Sequence, residues 1–118
     1  MIALVLAAAA APMWVPVGMT ASRLRVFVDK ASLHEVEGRR QVRVRLGAPT
    51  AITGRIVLVY QDEEFDCRAR QWRMLAFEAQ DEDGKVVQRS TPAAAPPPLL
   101  PALDHTIGGE VARTVCAF

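Results

Sequence analysis

This 118-residue sequence is sparing with cysteine, lysine and histidine, two of each, and its charges nearly cancel. Cys67 and Cys116 are too few to build a structural zinc site, and His34 and His105 lie far from both along the chain. Fourteen Lys+Arg against thirteen Asp+Glu leave a net charge of +1. That balance removes the bulk electrostatic case for nucleic acid as a partner. A glycine-rich phosphate loop, a His-x-x-x-His pair and a Gly-x-Ser-x-Gly nucleophile turn are missing too, so neither an enzyme nor a bound cofactor is expected. The longest N-terminal apolar run falls short of the ~20 residues a membrane-spanning helix needs.

What the chain does contain begins with Met1–Ala11, MIALVLAAAAA. An apolar run, then small residues before Pro12, has the form of the end of a secretory signal, although short and without a basic start. The expected organisation is therefore a truncated or degenerate leader over 1–11 and one domain over 12–118, a size suited to a single core. A leader also decides between two readings of the cysteines. In a reducing compartment both would be buried thiols; after export Cys67 and Cys116 pair. Such a disulfide closes a loop of about fifty residues and stabilises by roughly 4 kcal/mol in the chain-entropy model.

Strand periodicity dominates the middle. Met13-Trp14-Val15-Pro16-Val17 reads as an edge strand, because Pro16 cannot donate to a ladder. Leu24, Val26 and Val28 alternate with Arg25 and Phe27, and Asp29–Leu33 reads as a turn with Asp29 capping it. After a turn at Glu37-Gly38-Arg39, Val42, Val44 and Leu46 alternate with Gln41, Arg43 and Arg45: valines to a core, arginines to the other side. Arg55–Tyr60 suits a central strand, with a bulge, bend or break expected at the acidic Gln61–Glu64. Cys67 is placed on a strand that reverses at Arg68-Ala69, setting Phe65 opposite Trp72 and Glu64 opposite Arg73. In that register Phe65, Cys67, Trp72 and Met74 share one face, and Arg73, Leu75 and Phe77 the other. Asp83-Gly84 marks a further hairpin into Lys85–Arg89. Thr91–Pro101, with five prolines, reads as an extended connector. The tail carries Ile107, Val111 and Val115 at helical spacing behind Asp104 or Thr106 as N-cap. Gly108-Gly109 weakens that helix by roughly 1 kcal/mol per glycine.

Few side chains suggest chemistry. Asp62, Glu63, Glu64 and Asp66 offer oxygens to a hard cation, but consecutive strand residues point to opposite faces and Arg68, Arg70 and Arg73 stand close by. A hydrolase built on Asp29 and His34 lacks any third group. Arg43, Arg45, Arg70 and Arg73 form a candidate basic face for a polyanionic or protein partner, against the plainer reading of a solvated face with cross-strand ion pairs. A space lined by Val44, Trp72, Met74 and Ile107 would suit a small apolar ligand between sheet and helix.

Several stretches together resemble the bacterial surface-adhesin protein E family. They are Trp14, Val26-Phe27-Val28-Asp29 followed by Ser32-Leu33, the valine strand Val42–Leu46, and Phe65-Asp66-Cys67 leading into Arg70–Leu75. Gly84-Lys85-Val86-Val87, the proline-containing connector and Val115-Cys116 complete the pattern. The resemblance implies an α+β fold: a curved antiparallel sheet of about six strands, with a C-terminal helix held on its concave face by the disulfide. It also implies an exported, non-enzymatic module of the cell envelope or surface that binds extracellular or envelope proteins. The alternative function is a periplasmic carrier or sensor of a small apolar ligand.

Overall fold

The computed structural model describes residues 11–48, 51–52, 54–90 and 95–118. Nearly all of the expected leader therefore lies outside the described residues. Six antiparallel strands follow one another across a single unclosed sheet in chain order: β1 (Trp14–Met19), β2 (Arg25–Val36), β3 (Arg39–Gly47), β4 (Leu58–Asp66), β5 (Gln71–Gln80) and β6 (Val86–Arg89). The two-residue β7 (Leu100–Pro101) returns to pair with Trp72 and Gln71, and α1 (Ile107–Cys116) closes the chain order. The α+β architecture expected from the sequence is the one observed.

β3 shows why the sheet has two unlike faces. Its pleat sends Val42 and Val44 into the core, each almost fully buried, while Gln41, Arg43 and Arg45 point away from it. Val26 and Val28 on β2 and Phe65 on β4 join them, and the apolar stripe of α1, Val111 and Val115, packs on this floor. Burying such side chains contributes roughly 1.5–3 kcal/mol each.

Two strands depart from the sequence reading. β2 does not turn at Asp29–Leu33 but continues through it as a bulge, the register with β3 slipping between Asp29 and His34. Side chains replace the missing ladder bonds. Asp29 Oδ1 accepts from the amides of Ala31 (3.0 Å) and Met13 (2.8 Å). Ser32 Oγ donates to Asp29 O at 2.7 Å and accepts from the Arg43 amide at 2.8 Å. Asp29 is thus a backbone cap, as expected, but of a bulge.

β4 runs unbroken through Gln61–Glu64. The irregularity expected there falls in its pairing with β5, where Asp62 opposes Ala76 and Glu63 opposes Met74, leaving Leu75 extra. Beyond that bulge the parity of β5 inverts. Phe77 lies opposite Gln61 and returns to the face of Phe65, not to the face of Arg73 as a regular strand would have it. The expected pairs Phe65–Trp72 and Glu64–Arg73 are present. Cys67 is not on the strand: β4 ends at Asp66, whose Oδ1 accepts from the amides of Arg68 (3.1 Å) and Ala69 (3.0 Å) to cap the turn holding Cys67.

Three devices fix α1. Thr106 is its N-cap, accepting from the Gly109 amide at 3.1 Å. At the other end Arg40 Nη1 donates to the carbonyls of Val115 (2.8 Å) and Phe118 (2.9 Å), where the helix dipole is negative. Between them Cys116 is bonded to Cys67, with Cα atoms 5.7 Å apart. The paired glycines have a packing reason. A Cβ on Gly109 would run into the Leu103 carbonyl, and one on Gly108 would stand 3.1 Å from Trp72 Nε1. The low helix propensity is the cost of bringing this helix so close to its neighbours.

The two glycines should therefore separate on substitution. Gly109→Ala meets immovable backbone and should lower stability by about 3 kcal/mol or more. Gly108→Ala meets a ring edge and gains helix propensity, so its change should stay within about 1 kcal/mol. Chemical denaturation of the oxidised protein measures both.

Candidate functional site

With α1 on one face, the other face of the sheet is open among the described residues, apart from the connector at Pro97, and the pairing registers determine what it carries. Read across the strands, Pro16, Phe27, Arg45, Tyr60, Glu78 and Arg89 stand directly opposite one another on β1 to β6. The neighbouring row is Trp14, Asp29, Arg43, Asp62 and Ala76. In the first row Arg45 stands between the rings of Phe27 and Tyr60; in the second, aspartates flank Arg43 and Trp14 stands at the β1 edge. Arg45 lies 4.3 Å from the Trp14 ring centroid and 4.7 Å from that of Phe27, and Arg43 lies 4.6 Å from that of Tyr60. The Trp14 and Tyr60 rings are 5.9 Å apart. Each cation–ring contact contributes about 0.5–1 kcal/mol at such partly exposed positions, so together they hold the side chains in a fixed array.

Toward β5 the same face is tied by ion pairs. Arg43 and Arg89 both reach Glu78 at 3.0 Å. Glu64, only 4% exposed, accepts from Arg73 at 2.6 and 2.9 Å and from Gln41 at 2.7 Å, with Arg39 at 3.5 Å. Burial by itself raises the pKa of Glu64, but the Gln41 and Arg73 hydrogen bonds and the two positive charges outweigh it and hold the carboxyl below its usual value. Shallow grooves run along this half. One of about 420 Å³ lies between His34, Gln41, Arg43 and Asp62, and one of about 310 Å³ between Tyr60, Asp62, Glu78 and Arg89.

Glu63 faces the opposite way. It sits on the helix-bearing side between Val42 and Met74, is 4% exposed, and burial pushes its carboxyl up to about 8. Sequence alternation put Glu63 on the face of Val59, which is correct; a strand that continues straight through then has to bury it.

The structure distributes the candidate residues unevenly. Arg43, Arg45 and Arg73 share the open face, with Arg73 bound to Glu64 and to the Pro97 carbonyl. Arg70 is elsewhere, in the β4–β5 turn at φ 54°, lining a cleft of about 340 Å³ with the disulfide, Asp104 and Arg113. Asp29 and His34 are committed separately, His34 to the Ser32 carbonyl at 2.9 Å and Gln41 at 3.1 Å. The acidic run splits between faces, and among the described residues no group of three or more potential ligands is arranged for a metal ion. Val44 is fully buried in the core, with Trp72 and Ile107 packed against that cluster. Trp14, Phe27 and Tyr60 were not singled out as a site. Their alternation with apolar neighbours was visible, but their meeting with Arg43 and Arg45 depends on three registers at once.

One family model, Surface-adhesin protein E, matches residues 14–117. The chain belongs to that family. The match spans every strand and the helix, and it ends just past Cys116. No characterised protein and no solved structure shows significant similarity. A surface-adhesin role accords with the disulfide, since such bonds persist in oxidising compartments. Among the described residues no helix is long and apolar enough to cross a membrane.

The two neighbouring glutamates give the domain a pH signature. The unfolded chain loses the Glu63 proton near 4.5 while the folded chain keeps it to about 8. Stability is therefore fullest below 4.5 and declines as pH rises to 8, by about 3 kcal/mol at neutrality. Glu64, with its folded value below 4.5, stabilises above that pH and loses its contribution as pH falls through the folded value. The optimum should be mildly acidic. Denaturant midpoints across pH 3–9 should show Glu63→Gln abolishing the decline toward pH 8 and Glu64→Gln removing the acid-side loss.

Proposed function

We propose that this domain is an exported, non-catalytic binding module of the bacterial cell envelope or surface, adhering to an extracellular-matrix or envelope protein through the open face of its sheet. Residues 1–11 act as the leader and 12–118 as the single adhesive domain. The observation that carries the reading is the ring-and-guanidinium array on that face. Tyr, Trp and Arg are the residues that dominate binding energy at protein interfaces, the rings because they bury much area with few rotors and Arg because its planar fork makes several directed hydrogen bonds. Here they are already ordered by one another, so binding costs little side-chain entropy. Family membership supports adhesion as the role, and the disulfide supports the compartment.

Of the four arginines considered as a basic face, Arg43 and Arg45 keep the central place in this proposal. Arg73 serves it indirectly by holding Glu64, and Arg70 would contact only a partner that wraps around the β4–β5 turn.

Solid-phase binding of the oxidised protein to a panel of extracellular-matrix proteins tests the proposal. The double variant Arg43→Ala/Tyr60→Ala should lose about tenfold or more in affinity for any ligand found, with its fold intact by circular dichroism. Undiminished binding by this variant would move the interface to another surface, and no binding to any matrix protein would refute adhesion to that class.

A further inference from the structure

The open face is divided by charge. On the half toward β5, Arg39, Arg43, Arg73 and Arg89 each stand within 4.0 Å of a carboxylate. On the half toward β1 they do not. Arg25 and Arg45 have no carboxylate within that distance among the described residues, and all thirteen acidic residues of the chain are described. Arg25 is exposed on β2 opposite Gly47, one pleat along the same face from Phe27. Arg23 stands in the turn that leads into it. The Arg45 guanidinium lies over Trp14 and Phe27, and its N–H groups meet no protein acceptor among the described residues. The acidic turn Asp81–Asp83 is at the same end of the strands but beyond β5, three strands from β2. At strand spacings of ~4.8 Å that is farther than the ~8 Å screening length of physiological salt.

A guanidinium stacked on rings keeps its in-plane donors free, and the planar fork of those donors matches a tetrahedral oxyanion bidentately. The exposed portions of Trp14 and Phe27 supply flat apolar surface beside it, the kind on which the C–H face of a sugar ring lies. We propose that Arg25 and Arg45, with Trp14 and Phe27 and with Arg23 at the rim, form a binding site for a sulfated polysaccharide. This deepens the adhesive reading above and rests on it only for the face involved. A linear sulfated polymer fits better than a membrane. A flat anionic bilayer would have to meet Asp62 and Glu78 on the rest of the face, whereas a chain can follow the corner of Arg23, Arg25 and Arg45, where Asp29, opposite Trp14, is buried and its Oδ1 is taken up by the amides of Met13 and Ala31.

The full oxidised chain is tested against heparin by calorimetry at about 0.15 M NaCl, beside N- and O-desulfated heparin, duplex DNA and phosphatidylglycerol vesicles. Heparin should bind and desulfated heparin should not. Arg25→Gln/Arg45→Gln should weaken heparin about tenfold, while Arg68→Gln/Arg70→Gln, at the opposite end of the strands, should change it less than about twofold. Because Arg45 also packs on two rings, the exposed Arg25→Gln alone serves as a second variant, with an expected loss of about threefold and an unchanged melting temperature. The proposal is overturned by no heparin binding, by equal losses in the two double variants, or by equal affinity for DNA or the vesicles. Heparin failing while matrix-protein binding persists would reject this inference alone. Heparin binding with no matrix protein bound would reject the protein-adhesion reading and leave the glycan site standing.

Discussion

The seating of one short helix is the constraint on which this domain depends. A ten-residue helix with two glycines has little tendency to form alone, and the sheet has no other helix among the described residues to cover its valine floor. Each needs the other. The close approach of Gly109 to Leu103, the Thr106 cap, the grip of Arg40 on the last carbonyls and the bond from Cys116 to Cys67 act along its whole length. Together they keep Val111 and Val115 packed over Val28, Val44 and Phe65.

Confining the hydrophobic cover to one face leaves the other face without a helix among the described residues. Polar and aromatic residues there are not held by a covering layer, so they hold one another. Rings brace arginines toward β1, and carboxylates brace them toward β5. The extra Leu75 in β5 matters in this context. It turns Phe77 inward and leaves Ala76 opposite Asp62, which keeps the open face low and grooved where a large ring would otherwise project.

Much of this was legible in the residues. Alternation in β3 fixed which side chains enter the core, the Phe65–Trp72 and Glu64–Arg73 pairs followed from one assumed turn, and Ile107, Val111 and Val115 marked the helix face. What escaped has a common cause. Bulges depend on hydrogen bonds between distant segments, such as those Asp29 and Ser32 make to Met13 and Arg43, and a local pattern carries no trace of them. Glu63 was placed on the right face with an irregularity beside it, but local pattern does not show that β4 itself runs on unbroken, its pairing with β3 and β5 outweighing the cost of keeping one carboxyl protonated. Gly108 and Gly109 looked like defects because propensity is local and the atoms that exclude a Cβ are not.

Every strand of the meander precedes the helix in the chain, and each pairs with the one before it. A polypeptide emerging from its N-terminal side can thus lay down the sheet hairpin by hairpin through contacts of short sequence separation. The floor of that sheet stays uncovered until the last segment arrives, and the 49-residue span between the cysteines can be closed only then. Until α1 docks, the valine face is the apolar surface the sheet leaves uncovered, and the Cys67–Cys116 bond then ties the helix to it.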